Sequence, residues 1–266
     1  MARRRLDAEL VRRGLARTRT EAQAAVLGGL VVVGGRPAEK PSTLVAASEA
    51  VELMGAPRHF VSRGGEKLDA ALSRFAVDVS GRDCLDAGAS TGGFTDCLLQ
   101  HGAARVVALD VGYGQLAWSL RRDPRVVVLE RTNVRTLVPS DLPFVPSVVV
   151  ADLSFISLRL VARQLAGVIA AGGEAVLLVK PQFEAGRADV GRGGVVRDSG
   201  VWRRVISEVA AACSSAGLAP QGVMASPLTG PAGNVEFHLH CVKEGSTRPL
   251  ELDDAIGEGV RIGGLT

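Results

Sequence analysis

Beyond residue 62 the chain alternates between two hydrophobic rhythms. Short runs of β-branched and aliphatic residues, each ended by a charged or small residue, predict strands at 84–86 (CLD), 106–110 (VVALD), 126–129 (VVVL), 148–152 (VVVAD), 175–180 (AVLLVK), near 218–225, and 235–242 (VEFHLHCV). Most are separated by stretches with apolar residues every three or four positions, among them SLRLVARQLAGVIA and VWRRVISEVAAACSSAG. A helix from Arg63 to Phe75 precedes them, with Leu68, Ala71, Leu72 and Phe75 at i, i+3, i+4 and i+7. Wholly apolar strands alternating with helices specify a parallel sheet covered on both faces. The last strand is different. It follows the turn-rich SPLTGPAGN and alternates Val235, Phe237 and Leu239 with Glu236, His238 and His240, as an added strand near the sheet edge would. The expected fold is α/β and Rossmann-like, a mostly parallel sheet of seven strands with the last antiparallel.

The first sixty residues have a shorter grain. LDAELVRRG sets Leu6, Leu10 and Val11 on one helical face and ends in glycine. In TRTEAQAAVLGG, Thr18 and Glu21 have capping-box spacing, and Ala22, Ala25 and Val26 form the buried stripe. LVVVGGRPAEK then predicts a strand, a Gly34–Gly35 hairpin turn and a return, with a further strand at 51–53. Such a small α+β unit is marginal alone. The predicted organisation is a domain at 1–54, a linker at 55–62, a larger domain at 63–245 and a tail at 246–266.

Charge separates the two parts. Residues 1–60 hold ten Lys or Arg against six Asp or Glu, whereas the rest hold 21 against 22. The first twenty residues alone carry seven arginines with Asp7 and Glu9. That surplus suits either an anionic partner or a solvated helix face. No apolar run approaches the roughly 18 residues that span a bilayer, and acidic residues follow the basic start where a signal peptide would be apolar. A cytoplasmic location is expected. Cys84, Cys97, Cys213 and Cys241 are scattered, without C-x-x-C spacing, and read as reduced, buried thiols. His238 and His240 lack a third ligand at suitable spacing, so no metal is expected. Trp118 and Trp202 read as core or partly buried anchors.

In sheets of this kind ligands sit beyond the carboxyl ends of the strands. LDAGASTGGFTD (85–96) is so placed, with Asp86 before a turn of Gly88, Ser90, Gly92 and Gly93. It departs from the dinucleotide G-x-G-x-x-G pattern. A carboxylate ahead of the turn would repel a diphosphate and suits a cationic ligand such as S-adenosylmethionine (SAM). Asp110, ending the next strand, suits two ribose hydroxyls and serves a SAM or a NAD site alike. The glycines could also merely permit tight packing.

Four charged residues complete the candidate chemistry: Lys67 on the first helix, Asp152 and Lys180 at strand ends, and Glu236 opening the last strand. Each alone is unremarkable, since such residues often snorkel or face water. Together they form a Lys–Asp–Lys–Glu set able to activate a ribose hydroxyl, a poor nucleophile that needs a base as the methyl group arrives. A free lysine, with pKa about 10.4, is protonated at neutral pH. Desolvation and a second ammonium favour the neutral amine, and carboxylates oppose it. Lys180 is the candidate base and Lys67 the second cation, with Asp152 and Glu236 orienting them.

The stretches SRGGEKL (62–68), LDAGASTGGFTD, ADLSFISL (151–158), KPQFEAGR (180–187) and GNVEF (233–237) resemble the TlyA family, bacterial ribosomal-RNA 2′-O-ribose methyltransferases related to the FtsJ group. The likeness covers nearly the whole chain. It implies SAM as cofactor, a catalytic tetrad at Lys67, Asp152, Lys180 and Glu236, and SAM contacts at Gly88, Ser90, Gly92, Phe94 and Asp110. Asp152 would stand near the methionine end and Asn133 on the adenine side, while Asp86 would either touch SAM or brace the turn. RLDAELVRRG, ARTRTEA and VVVGGRPAEKPS are similar to a small RNA-binding domain shared with a ribosomal protein and some pseudouridine synthases. That implies RNA contacts at Arg3, Arg4, Arg5, Arg17, Arg19 and Lys40. Gly34 departs from the asparagine frequent there. The implied partner is ribosomal RNA or a ribosomal subunit. A monomer is expected, and the glycine- and arginine-rich 183–198 is predicted to border the substrate cleft and to order on RNA binding. The family also carries a haemolysin label, but neither a membrane span nor a strongly amphipathic insertion helix is predicted.

Overall fold

The structure, a computed structural model, describes residues 3–16, 18–27, 29–54 and 59–265. The chain divides into two compact units, Met1–His59 and Phe60–Thr266.

In the first unit, β1 (Arg3–Arg5) pairs antiparallel with β4 (Leu44–Ala46). Helices α1 (Leu6–Arg12) and α2 (Arg19–Leu27) pack on each other, α1 also against β1 and β4, and in a second sheet β2 (Val31–Val33) lies between β3 (Arg36–Pro37) and β5 (Val51–Leu53). Leu6, Leu10, Ala22, Val26, Val31 and Val45 form the core, whereas Val11 and Ala25 are only partly buried. The Thr18 hydroxyl accepts the Glu21 amide at 3.1 Å, the first half of the expected capping box. Gly34 and Gly35 both have positive φ (56° and 78°) in a two-residue hairpin loop. That backbone matches strand twist, so glycine replaces asparagine there without penalty.

The second unit opens with α3 (Arg63–Phe75), β6 (Asp83–Ala87), α4 (Gly93–Gln100) and β7 (Arg105–Leu109). It continues through α5 (Trp118–Arg121), β8 (Val126–Leu129), β9 (Val148–Ala151), α6 (Ala162–Val168), β10 (Glu174–Val179) and α7 (Pro181–Glu184). Then come α8 (Ser199–Ser215), β11 (Leu218–Ala225), β12 (Phe237–Lys243) and α9 (Leu252–Gly263). The sheet has seven strands in the order β11-β12-β10-β9-β6-β7-β8, and β12 is antiparallel to both neighbours.

Strand periodicity sorts the core into two layers. Odd-numbered residues such as Leu85, Val107, Val149, Leu177 and Leu239 pack on α6, α8 and α9 through Leu165, Trp202 and Ile256. Even-numbered ones such as Cys84, Val106, Val150 and Leu178 pack on α3 and α4 through Leu68, Leu72 and Leu98.

Three sequence expectations need correction. β12 is near the sheet edge as expected, one strand in and between β10 and β11, but its polar face does not meet water; Glu236, His238 and His240 are all buried. The tail contains α9, whose Ala255 and Ile256 enter the larger core. Trp118 is 65% exposed, whereas Trp202 is buried and donates its ring N–H to Val196 O at 3.0 Å.

Helices α3 and α4 approach closely through glycines. A Cβ at Gly93 would lie 2.2 Å from Ser62 Oγ and 2.9 Å from Gly65 N, both at the start of α3. Gly93→Ala should therefore push the helices apart and lower stability by about 1–3 kcal/mol, the usual range for overpacking. Urea unfolding of the whole chain measures this; an unchanged midpoint would mean that the contact yields freely.

Candidate active site

The carboxyl edge of the sheet gathers the predicted residues strand by strand. Val179 faces Phe237 in the β10–β12 ladder, so Lys180 and Glu236 occupy the next rung. Ala151 faces both Leu177 and Ala87, which sets Asp152 between Lys180 and the glycine turn. Asp152, Lys180 and Glu236 continue the even-numbered register and so belong to the α3 side of the sheet. There they form two ion pairs. Lys67 Nζ donates to Glu236 Oε2 at 2.5 Å, and both side chains are buried. Lys180 Nζ lies 2.6 Å from Asp152 Oδ1, at angles outside those of a hydrogen bond, and donates an aligned bond to Ser154 Oγ at 3.0 Å. Next to Lys67, His238 is fully buried with neither ring nitrogen partnered among the described residues. Burial, helped by the Lys67 charge, holds it neutral with its pKa down to about 3.

The turn after β6 is fixed from two sides. The Gly88 and Ala89 amides donate to Leu109 O at 2.8 and 3.0 Å. Gly88 has φ +92°, and a Cβ there would lie 2.4 Å from Asp152 O. Gly92, at φ +98°, would bring a Cβ to 2.3 Å from the Leu120 side chain. Only glycine fits either place without movement. Asp110 accepts the Ser90 amide at 2.8 Å and the Gly112 amide at 2.7 Å, tying this turn to the end of β7. Phe94 is a core side chain, its ring 6.4 Å from that of His238. Asn133 is exposed and caps the following turn by accepting the Arg135 amide.

Asp86 is fully buried under the turn. Its Oδ2 accepts the Thr95 hydroxyl at 2.7 Å, while Oδ1 has no hydrogen-bond partner. Burial pushes the carboxyl up to about 7 against that bond, and the nearby Asp152 charge adds to the rise. An unpartnered buried carboxylate oxygen, a turn whose Gly88, Gly92 and Gly93 leave the backbone open to close approach, and a second carboxylate one strand away suit a cationic amino acid joined to a ribose. They suit a diphosphate poorly. The residues present thus fit SAM.

Sequence reasoning passed over the residues that lock the two loops beside Lys180. Phe155 is 91% exposed at φ +62°, with its ring centroid 5.1 Å from that of Phe183. Lys180 Nζ lies 5.8 Å from the Phe183 centroid. Glu184 is buried and accepts the Leu158 amide at 2.7 Å and the Ser157 hydroxyl at 2.5 Å, joining the loop after β9 to α7. A phenylalanine in an apolar stretch reads as core, and a positive φ leaves no mark in the sequence. In the 183–198 segment, Arg187, Arg192 and Arg197 are exposed, and Asn234 holds Gly194 O and the Val196 amide at 2.9 Å each.

In the first unit Asp7 is buried beneath Arg5 and Arg19, accepting their guanidinium groups at 2.9 and 3.2 Å. Arg12 and Arg13 close in the same way on buried Glu9. Hydrogen bonds from Arg12 and then Arg13 outweigh burial and lower the Glu9 carboxyl to about 2. Arg3, Arg4 and Lys40 are exposed. Arg17 lies outside the described residues. One group of metal-capable side chains occurs among the described residues, Asp69 with Cys97 and His101. Burial raises the Cys97 thiol far from its thiolate, and His101 is bonded to Asp69 at 2.7 Å.

Models of two known families match the chain: FtsJ-like methyltransferase over residues 60–243 and the S4 domain over residues 4–51. The 16S/23S rRNA (cytidine-2′-O)-methyltransferase TlyA of Mycobacterium tuberculosis is 52% identical over 268 residues, spanning 99% of this chain and 100% of the relative. A solved hemolysin-named protein of Streptococcus thermophilus is 39% identical with a TM-score of 0.76, covering 98% of this chain and 97% of that one. An S-adenosylmethionine-dependent methyltransferase structure from Listeria monocytogenes shares the fold at 16% identity, TM-score 0.52, over 69% of this chain and all of its own. The chain belongs to the FtsJ-like methyltransferases, in the S4-bearing TlyA family. Among the described residues no helix is long and apolar enough to cross a membrane.

The state of Asp86 gives a test with a definite sign. Its ordinary value is 3.8 and its folded value about 7. Between these the folded state holds the proton that the unfolded state has lost, so stability falls as pH rises through the window. Asp86→Asn removes that penalty. Melting of the SAM-free variant should equal wild type near pH 4, exceed it increasingly up to pH 7, and keep a constant margin above. A margin independent of pH would refute the buried, proton-holding carboxyl.

Proposed function

We propose that this protein transfers a methyl group from SAM to the ribose 2′-hydroxyl of a cytidine in small- or large-subunit ribosomal RNA, acting as a cytoplasmic monomer. The observation that carries the reading is the pair of lysine–carboxylate contacts, Lys67 of α3 with Glu236 and Lys180 with Asp152, gathered at adjacent strand ends beside the glycine turn. The family and the printed activity of the Mycobacterium tuberculosis relative support it.

Residues around the turn would hold the cofactor: Asp86 and Asp152 toward its cationic amino-acid end, Asp110 toward the ribose, and the backbone of Gly88, Ser90, Gly92 and Phe94 between them. Asn133 stands on the adenine side. Bound SAM supplies a methyl group on a sulfonium, which departs as a neutral thioether. The protein must position the ribose oxygen and remove its proton. Of the two lysines, Lys180 is the base. Deprotonating Lys67 would strand Glu236 as an unpaired charge in the interior, a change that costs several kcal/mol in buried pairs. Asp152 is a quarter exposed, although the Oδ1 facing Lys180 is buried, so its charge keeps more contact with water than that of Glu236. Lys67 and Glu236 then form a fixed charged wall, and the exposed face of Phe155 offers a surface on which a nucleobase can stack. The S4 unit supplies RNA affinity through Arg3, Arg4, Arg5, Arg19 and Lys40, with Arg17 in the same stretch. The arginines of 183–198 border the cleft.

Tritiated methyl transfer from SAM to isolated small and large ribosomal subunits, with mapping of the labelled sugar, tests the activity. Lys180→Ala should lower transfer by roughly 10²–10⁴-fold, the usual scale of general-base help, with the SAM Kd unchanged by calorimetry. Turnover within tenfold of wild type would remove Lys180 as the base, and no labelling of either subunit would remove the substrate. Charge reversal of Arg3, Arg4 and Lys40 together should weaken subunit binding and flatten its salt dependence, leaving SAM binding intact. Subunit affinity equal to wild type at all salt concentrations would show that these residues do not face RNA.

A further inference from the structure

We propose that Ser154 is a positioning residue for proton abstraction: its hydroxyl sets the rotation of the Lys180 amine, so that the lone pair of the neutral amine faces the ribose hydroxyl. This inference rests on Lys180 being the base, as proposed above.

A lysine amine turns about its Cε–Nζ bond. In the ammonium form this turning is inconsequential, because three N–H groups fill the three directions. In the neutral form two directions hold N–H and one holds the lone pair, and rotation decides where that lone pair points. Asp152 Oδ1, 2.6 Å from Nζ but outside hydrogen-bond angles, holds the nitrogen in place by charge. A contact without hydrogen-bond alignment fixes the position of the nitrogen more tightly than its rotation, disfavouring only a lone pair aimed at the carboxylate. A hydrogen bond is directional, weakening steeply as it bends. Among the described residues, the aligned bond from Lys180 Nζ goes to Ser154 Oγ at 3.0 Å.

Ser154 is exposed, and what fixes it is its loop. Its loop is anchored to α7 by Glu184, which takes the Leu158 amide and the Ser157 hydroxyl. Arg159 Nη2 returns a bond to Glu184 O at 2.8 Å. The neighbouring Phe155 packs on Phe183, three residues beyond Lys180. Both ends of the Lys180–Ser154 bond are therefore carried by one clamped pair of loops. Lys67 contrasts with this, since its aligned bond goes to a carboxylate, Glu236.

In the step, the O–H bond of the ribose breaks and an N–H bond forms at the Lys180 lone pair. The electron pair of the broken bond stays on the oxygen, which joins the methyl carbon. Lys180 ends as an ammonium beside Asp152, and the Lys180 N–H donated to Ser154 Oγ stays intact throughout.

The test compares wild type, Ser154→Ala, Ser154→Thr and Lys180→Ala on isolated ribosomal subunits at saturating SAM. Ser154→Ala should lower kcat by roughly ten- to a hundredfold, the scale of a misaligned reacting group, with KM for the subunit and Kd for SAM unchanged. Ser154→Thr, which keeps the hydroxyl, should recover most of the rate. Nitrogen-15 relaxation of Lys180 Nζ in the SAM-free protein gives a readout independent of turnover: restricted rotation in wild type and Ser154→Thr, free rotation in Ser154→Ala. Wild-type kcat in Ser154→Ala, or equal rotation in all three proteins, overturns the proposal. If Lys180→Ala is inactive while Ser154→Ala matches wild type, the positioning role alone falls. If Lys180→Ala turns over like wild type, the base assignment falls and this proposal with it.

Discussion

An ammonium and a carboxylate buried against each other, Lys67 with Glu236, set the terms on which the larger unit is built. Withdrawing two charges from water carries a penalty of several kcal/mol per ion, recovered only with close geometry. The fold supplies that geometry from residues far apart in the chain. β12 is inserted antiparallel between β10 and β11, which brings Glu236 beside Lys180 at the carboxyl edge. Helix α3 can lay Lys67 over that edge because α3 and α4 meet through Gly64, Gly65 and Gly93. Neutral His238 fills the space beside the pair without adding a charge.

The same edge has an excess of negative charge. Asp86, Asp110, Asp152 and Glu236 stand along it with Lys67 and Lys180. Asp86 answers the imbalance by holding a proton to near neutral pH, as its burial demands. A ligand with net positive charge relieves the rest, and SAM, with an ammonium and a sulfonium against one carboxylate, has that character. The proposed cofactor and the proposed base therefore share one electrostatic problem. Carboxylates that would attract the donor also steady the lysines, and Asp110 with both oxygens on backbone amides keeps the turn shaped before any ligand arrives.

The sequence showed most of this edge because strands in a covered parallel sheet are almost wholly apolar, so Asp86, Asp110, Asp152 and Lys180 each stood out. Helix α3 was predicted with the bounds it has. That β11 lies outside β12 was hidden because strand order in a sheet is a long-range property. The alternating Glu236, His238 and His240 imitate a water-facing edge, whereas α3 and α4 cover them. Helix α9 was legible but missed: Leu252, Ala255, Ile256 and Gly259 keep helical spacing within an acidic, glycine-rich stretch that looks like a tail. β1 had no apolar signal at all, being three arginines in a row. Ser154 and Phe155 lay inside a quoted motif, but their role depends on a positive φ and on loop clamping that neighbouring residues do not encode.

Counting arginines was a poorer guide to the first unit than seeing what lies beneath them. Four of the seven arginines in the first twenty residues close on two buried carboxylates: Arg5 and Arg19 on Asp7, Arg12 and Arg13 on Glu9. For a phosphate-bearing partner this lowers the available charge but improves its presentation. The Arg5 guanidinium is fixed by two bonds to Asp7, through Nε at 3.1 Å and Nη2 at 2.9 Å, with its outer donors still free to meet an oxygen. Holding a long side chain before binding removes roughly 0.5–1.5 kcal/mol of ordering penalty. A buried aspartate under an exposed arginine is thus compatible with RNA recognition even where it cancels net charge. The functional quantity is the number of oriented donors on the surface, which the tally of basic residues in the sequence does not report.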